Sequence, residues 1–186
     1  MNLNIILKAS RNLSLLILVL TSTSSLATEL TVGMQAPNFK LQATNGDFYQ
    51  LSDYRGKQAI VLAWYPMANT RGCTFECKSL VEQGHLIREY DVSYFMASVD
   101  PLDDNRDFAK KTGADFPMLS DPTKDTAKAY DVLNFFRVAS RVTFYISIDG
   151  KIIHIDEDIT PRTAAPDIAK KLGELNIEKI TLTKKH

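Results

Sequence analysis

The chain has 186 residues, 45% of them hydrophobic and 24% charged, with 22 Lys plus Arg against 22 Asp plus Glu. That length accommodates one domain with a sizeable core. The balanced charge offers no basic excess for a phosphate backbone, and no basic stripe interleaved with aromatics stands out, so nucleic acid is not an expected partner.

Lys8 and Arg11 precede the apolar run Leu13 to Leu20, and small or polar residues follow from Thr21 to Ala27. Ser25 and Ala27 occupy the −3 and −1 positions of a cleavage site after Ala27. The pattern predicts a signal peptide over residues 1–27, its apolar run too short to span a bilayer comfortably. An uncleaved anchor is the alternative. Removing the leader takes away two of the 22 basic residues, leaving 20 against 22 acidic ones and a formal charge of −2. Residues 28–186 are then a single domain, periplasmic or secreted, with no stable membrane association after cleavage.

Within that unit, Phe39 to Leu41 and Phe48 to Leu51 flank Asn45-Gly46 and predict an early hairpin. Ala59 to Tyr65 is nearly all apolar, as expected of a central strand covered on both faces; Pro66 ends it. A helix is predicted from about Cys73 to Tyr90, with Cys73, Cys77, Leu80, Val81, Gly84, Ile87 and Asp91 on one stripe, of which only Asp91 is unsuited to burial. Val92 to Val99 reads as a buried strand, Asp103 to Lys111 as a polar helix, Phe116 to Leu119 as a short strand and Lys124 to Tyr130 as a brief helix. Val142 to Ile148 and Lys151 to Ile155 flank Asp149-Gly150, a hairpin expected to close through a two-residue turn of positive φ. A last helix spans about Thr163 to Leu175, and Ile177 to Leu182 is a candidate terminal strand. Together these elements predict an α/β fold, a mixed central sheet with helices on both faces.

Cys73 and Cys77 are the only cysteines. Export would place them in an oxidising compartment, where a structural disulfide is one reading. A loop that small constrains the unfolded chain little, however, and makes a poor staple. Cys73 stands at a predicted helix start, where unpaired N–H groups and the peptide dipoles favour a thiolate. Thr70 supplies a hydroxyl in the same turn, Gly72 permits close backbone approach and Pro66 stiffens the entrance. A buried, unreactive Cys73 with Thr70 as an ordinary helix cap is the competing reading.

The run Pro66, Thr70, Cys73 carries the Pro-x-x-x-Thr-x-x-Cys pattern and resembles the peroxiredoxins, in their bacterioferritin-comigratory or PrxQ-like branch. Gly33 to Leu41, Leu51 to Lys57, Gly72 to Glu76 and Arg141 to Phe144 resemble further blocks of that family, in the same order. The resemblance implies a thioredoxin-like fold and thiol-dependent reduction of hydrogen peroxide or organic hydroperoxides through a sulfenic acid on Cys73. It implies that Arg141, the Cys73 N–H and the Thr70 hydroxyl contact peroxide, that Pro66 shields the thiolate, and that Glu76 orients Arg141. Glu76 as a first-turn acid favoured by the helix dipole is the other reading. The implied partners are a peroxide and a thioredoxin-like or other dithiol reductant, with no metal or organic cofactor, in a monomer or weak dimer.

Cys77 departs from the branch, where a resolving cysteine often lies five residues after the first; here that position is Lys78. Cβ atoms four apart on a helix stand about 5–6 Å from each other, against about 3.5–4.5 Å in a disulfide. Resolution by Cys77 therefore requires the first turn to open, and the alternative is a small core residue. Cys73-x-x-x-Cys77 also resembles exported SCO-type copper chaperones, for which His85, His154 and His186 are the available imidazoles. An exported thiol–disulfide oxidoreductase and a non-catalytic adaptor complete the alternatives. Trp64 and Tyr65 read as core aromatics, Asp100, Asp103 and Asp104 as a loop and helix start, and Asp156 to Asp158 as a hydrated turn.

Overall fold

The computed structural model describes residues 29–180; the signal-peptide expectation over residues 1–27, His186 and the end of the expected terminal strand lie outside them. Strands β1 (Lys40–Ala43), β2 (Phe48–Gln50), β3 (Ala59–Trp64), β4 (Val92–Ser98), β5 (Met118–Ser120), β6 (Val142–Ile146) and β7 (Ile152–Asp156) form one sheet in the order β2-β1-β5-β4-β3-β6-β7. β3 pairs parallel with β4 and antiparallel with β6, and both outer pairs are antiparallel hairpins. The helices are α1 (Arg71–Gln83), α2 (Leu102–Thr112), α3 (Asp125–Ala129) and α4 (Ala164–Glu174). This is the mixed, thioredoxin-like α/β arrangement expected from the sequence.

β3 is buried along its whole length because it lies between two strands and beneath side chains on both faces. Ile60, Leu62 and Trp64 point into one core with Phe95, Tyr130 and Phe144, on the side covered by α3. Val61 and Tyr65 point into the other with Leu80, Phe108 and Ile168, beneath α1, α2 and α4. Fully burying each large apolar side chain contributes about 1.5–3 kcal/mol, so the two-sided core fixes the strand that delivers the chain to Pro66.

Both hairpins close in the same way. Gly46 N–H donates to the Ala43 carbonyl and Ala43 N–H to Asp47; likewise Gly150 donates to Ser147 and Ser147 to Lys151. Gly46 and Gly150 have φ of +94° and +82°, the left-handed residue that completes a three-residue loop. The two-residue Asp149-Gly150 turn is thereby corrected, since only the glycine of that pair has positive φ. β6 accordingly ends at Ile146, with an irregular register between Tyr145 and Ile146.

Helix α1 starts two residues earlier than expected and ends sooner: Gly84–Glu89 continues as a 3-10 helix that turns the chain toward β4. Before α4, Pro161–Thr163 forms another 3-10 turn. The expected terminal strand reduces, among the described residues, to one bridge between Tyr90 and Lys179, flanked by bonds from Asp91 N–H to Glu178 and Ile180 N–H to Glu89.

Candidate active site

The C-terminal end of β3 runs into the turn Pro66 to Thr70, which is held from several directions. Ala68 N–H donates to Asp100 Oδ2 at 2.9 Å, and Asp100 N–H donates to Ser98 Oγ at 3.2 Å. Asn69 has a φ of +61°, and its Oδ1 accepts from Lys111 Nζ at 3.3 Å. Beneath the turn, Tyr65 donates its hydroxyl to Asn105 Oδ1 at 2.6 Å, while Asn105 Nδ2 donates to Ser98 and Ser120. This buried polar cluster satisfies its own groups and so can be rigid.

Thr70 is the N-cap residue of α1, in extended conformation, but its hydroxyl does not cap the helix: it donates to the Met67 carbonyl at 3.0 Å. The oxygen lone pairs are left to accept a hydrogen from elsewhere. The first intrahelical bond runs from Thr74 N–H to the Thr70 carbonyl, reinforced by the Thr74 hydroxyl at 2.8 Å. The N–H groups of Arg71, Gly72 and Cys73 precede it and form the positive helix end. Cys73 is thus the third helical residue, fully buried against this turn.

Arg141 reaches the same point from 68 residues further along the chain. Val142 stands opposite Trp64 in the β3–β6 register, so the residue before it lies beside the exit of β3. Its Nη2 donates to Cys73 Sγ at 3.2 Å. Its Nη1 forms an ion pair with Glu76 Oε2, and neither atom has another partner among the described residues. Glu76 is 1% exposed and lies beyond the first turn of α1, so it is not a first-turn acid; its carboxylate is paired with the guanidinium. Gly72 contributes by its lack of a side chain: a Cβ there would stand 3.2 Å from Arg141 Nη2. Pro66 is half-buried at the entrance.

The structure brings Pro66, Thr70, Cys73, Glu76 and Arg141 together, and sends Cys77 elsewhere. Cys77 Sγ contacts Thr112 Oγ1 at 3.1 Å, and the Thr112 hydroxyl donates to the Phe108 carbonyl at 2.7 Å. With the threonine proton so used, the Cys77 S–H is the donor. Burial pushes the Cys77 thiol up to about 11, with the Asp115 and Cys73 charges adding to the rise. Both cysteines are free.

Trp64 and Tyr65 are fully buried in opposite cores, as strand alternation requires. His154 pairs across the hairpin with Tyr145, its ring 5.5 Å away, and His85 lies in the 3-10 turn after α1. Among the described residues no group of three or more His, Cys, Asp and Glu could hold a metal ion, so the thiolate–histidine copper set is not assembled there. No described helix is long and apolar enough to cross a membrane. Sequence reasoning missed Asp100, Asn105, Thr112 and the service of Gly72 to Arg141. The position of Asp100 just past a parallel strand was the available signal, because sites in such sheets collect at strand C-terminal ends.

Residues 32–155 match the AhpC/TSA family. The chain is 32% identical over 131 residues to peroxiredoxin Bcp of Bacillus subtilis, covering 67% of this chain and 83% of that one. Among solved structures, peroxidoxin BcpB of Mycobacterium tuberculosis superposes with a TM-score of 0.69 at 26% identity, covering 77% of this chain and 96% of the other. PrxQ of Xylella fastidiosa gives 0.68 at 25% identity, over 79% and 98%. The chain therefore belongs to the AhpC/TSA family, among its Bcp- and PrxQ-like peroxiredoxins, and is a thiol-dependent peroxidase that works by oxidation of cysteine.

Proposed function

We propose that Cys73 is the thiol that reduces peroxide, with Arg141, Thr70 and the first N–H groups of α1 as the peroxide-binding groups. The observation that carries this reading is the double engagement of Arg141, one nitrogen on Cys73 Sγ at 3.2 Å and the other on buried Glu76. A guanidinium is a charged fork of fixed shape, so pinning one arm aims the other. The Cys73 thiolate attacks the nearer oxygen of ROOH; the O–O bond breaks, sulfur becomes S–OH, and RO⁻ leaves to take up a proton. Charge develops on the departing oxygen, where the Arg141 guanidinium and the α1 N–H groups lower the barrier. The Thr70 hydroxyl, whose proton is committed to Met67, accepts the hydrogen of the bound peroxide. Pro66 limits water at the thiolate, and Glu76 is the positioning residue for Arg141.

Hydrogen peroxide and organic hydroperoxides are the substrate class, and a thioredoxin-like or other dithiol returns the enzyme to its reduced state. Residues 1–27 form part of the same proposal, as a signal peptide that directs residues 28–186 to the periplasm or outside the cell. Lys8 and Arg11 ahead of the apolar run Leu13 to Leu20, with small residues at Ser25 and Ala27, carry that part of the proposal. Peroxide turnover with dithiothreitol tests the catalytic reading: Cys73→Ser is expected to be inactive, and retained turnover would remove the assignment. N-terminal sequencing of exported protein tests the leader, with cleavage after Ala27 expected and an intact Met1 in that material contradicting it.

A further inference from the structure

The two cysteines lie one helical turn apart, but their sulfurs are engaged on opposite sides of β3. Cys73 Sγ accepts from Arg141 at the start of β6, on one side of that strand. Cys77 Sγ donates to Thr112 at the end of α2, the helix packed on β5 on the other side. The stretch between and beyond them is tethered as well. The Arg162 guanidinium lies 3.5 Å from the centroid of the Phe75 ring, Glu76 pairs with Arg141, and Ser79 Oγ accepts from Ala165 N–H at 3.1 Å.

Exposing Cys73 requires the turn Arg71 to Thr74 to fray and the bond from Arg141 to break. Carrying Cys77 to it requires, in addition, release of Phe75 from Arg162, Glu76 from Arg141 and Cys77 from Thr112. Helix ends open at little cost, whereas segments held by tertiary contacts open at a cost approaching that of global unfolding. The protonated state of buried Cys77 points the same way, since the thiolate is the nucleophile.

We propose that Cys77 is a packing thiol fastened to α2 by Thr112, and that Cys73 works as a single redox cysteine whose sulfenic acid is reduced by thiols from outside the chain. The proposal rests on the assignment of Cys73 as the peroxide-reducing thiol. An external R–SH attacks the Cys73 sulfur, the S–O bond breaks, water leaves and Cys73–S–S–R forms. A second thiol R′–SH attacks the sulfur of R; R–S–S–R′ departs and Cys73 regains its thiol. The two electrons come from the external thiols, and Cys77 keeps its proton throughout.

Intact-mass analysis of the wild-type protein after one equivalent of hydrogen peroxide, with dimedone present, reads the fate of Cys73 without any substitution. The expected product is a dimedone adduct on Cys73 with Cys77 still alkylatable after denaturation. Turnover of Cys77→Ala with dithiothreitol is expected to stay within about twofold of wild type, with melting curves reporting that the variant is folded. An internal Cys73–Cys77 disulfide as the main product overturns the proposal, as does a folded Cys77→Ala enzyme that turns over about tenfold more slowly. Turnover by Cys73→Ser would instead remove the assignment beneath it, so the two failures are distinguishable.

Discussion

A methyl group added at Gly72 would stand 3.2 Å from Nη2 of Arg141, the nitrogen that donates to Cys73. That contact is tight enough that the nitrogen must retreat by a few tenths of an ångström. Retreat is restricted, because the other arm of the same guanidinium is paired with a carboxylate that is 1% exposed. The bond to sulfur therefore lengthens or bends. Removing one preorganised donor outright costs about 10²–10³ in rate; a displaced donor keeps part of its effect, so Gly72→Ala is expected to lower kcat/KM about tenfold, or about 1.4 kcal/mol. Stability moves differently. Gly72 is the second residue of α1 and does not have positive φ, so alanine gains up to about 0.5–1 kcal/mol from reduced freedom of the unfolded chain. Initial rates of peroxide consumption under excess dithiothreitol, with thermal melts of the same samples, separate the two effects. The expected variant is slower and melts no lower than wild type. An unchanged kcat/KM would refute the claim that the position of Arg141 controls the chemistry.

Glu76→Gln removes the buried carboxylate charge paired with Arg141, and is expected to destabilise the protein by about 2–3 kcal/mol, below the usual 3–5 for a broken buried pair because Arg141 keeps some contact with water. Urea denaturation measures this; a loss under about 0.5 kcal/mol would show that the pair is not held. Thr70→Val should lower kcat/KM by about 10²-fold and Thr70→Ser by only a few-fold, because the serine keeps the hydroxyl oxygen that accepts from peroxide. Equal rates for the two variants would remove that role. The Cys77 thiol is raised in the fold from 9.0 to about 11, so the native state holds its proton more tightly than the unfolded chain. Its contribution is full below about pH 9 and is lost as pH rises toward 11, by an amount of order 2–3 kcal/mol. Denaturation curves across that range should show a shallower decline for Cys77→Ala than for wild type; identical slopes would contradict it.

Much of this enzyme is local in origin and was legible in the chain. The apolar run through Ala59 to Tyr65 specifies a strand buried on both faces, and Pro66, Thr70 and Cys73 place a hydroxyl and a thiol at a helix start. Turn chemistry was legible in part. Asn45-Gly46 and Asp149-Gly150 mark hairpins, yet an Asp-Gly pair suits both two- and three-residue loops, and the strand register chose the longer one. The site itself depends on what local preference cannot encode. Arg141 is 68 residues from Cys73 and meets it only because β6 pairs with β3 in one register. The same sheet order sends Cys73 toward β6 and Cys77 toward α2, although helix periodicity alone placed them on one stripe. Spacing along the chain sets which side chains share a helix face, while the partners waiting on each side of that face come from strands and helices joined at long range. The thiols were evident in the sequence; their separation was decided by the sheet.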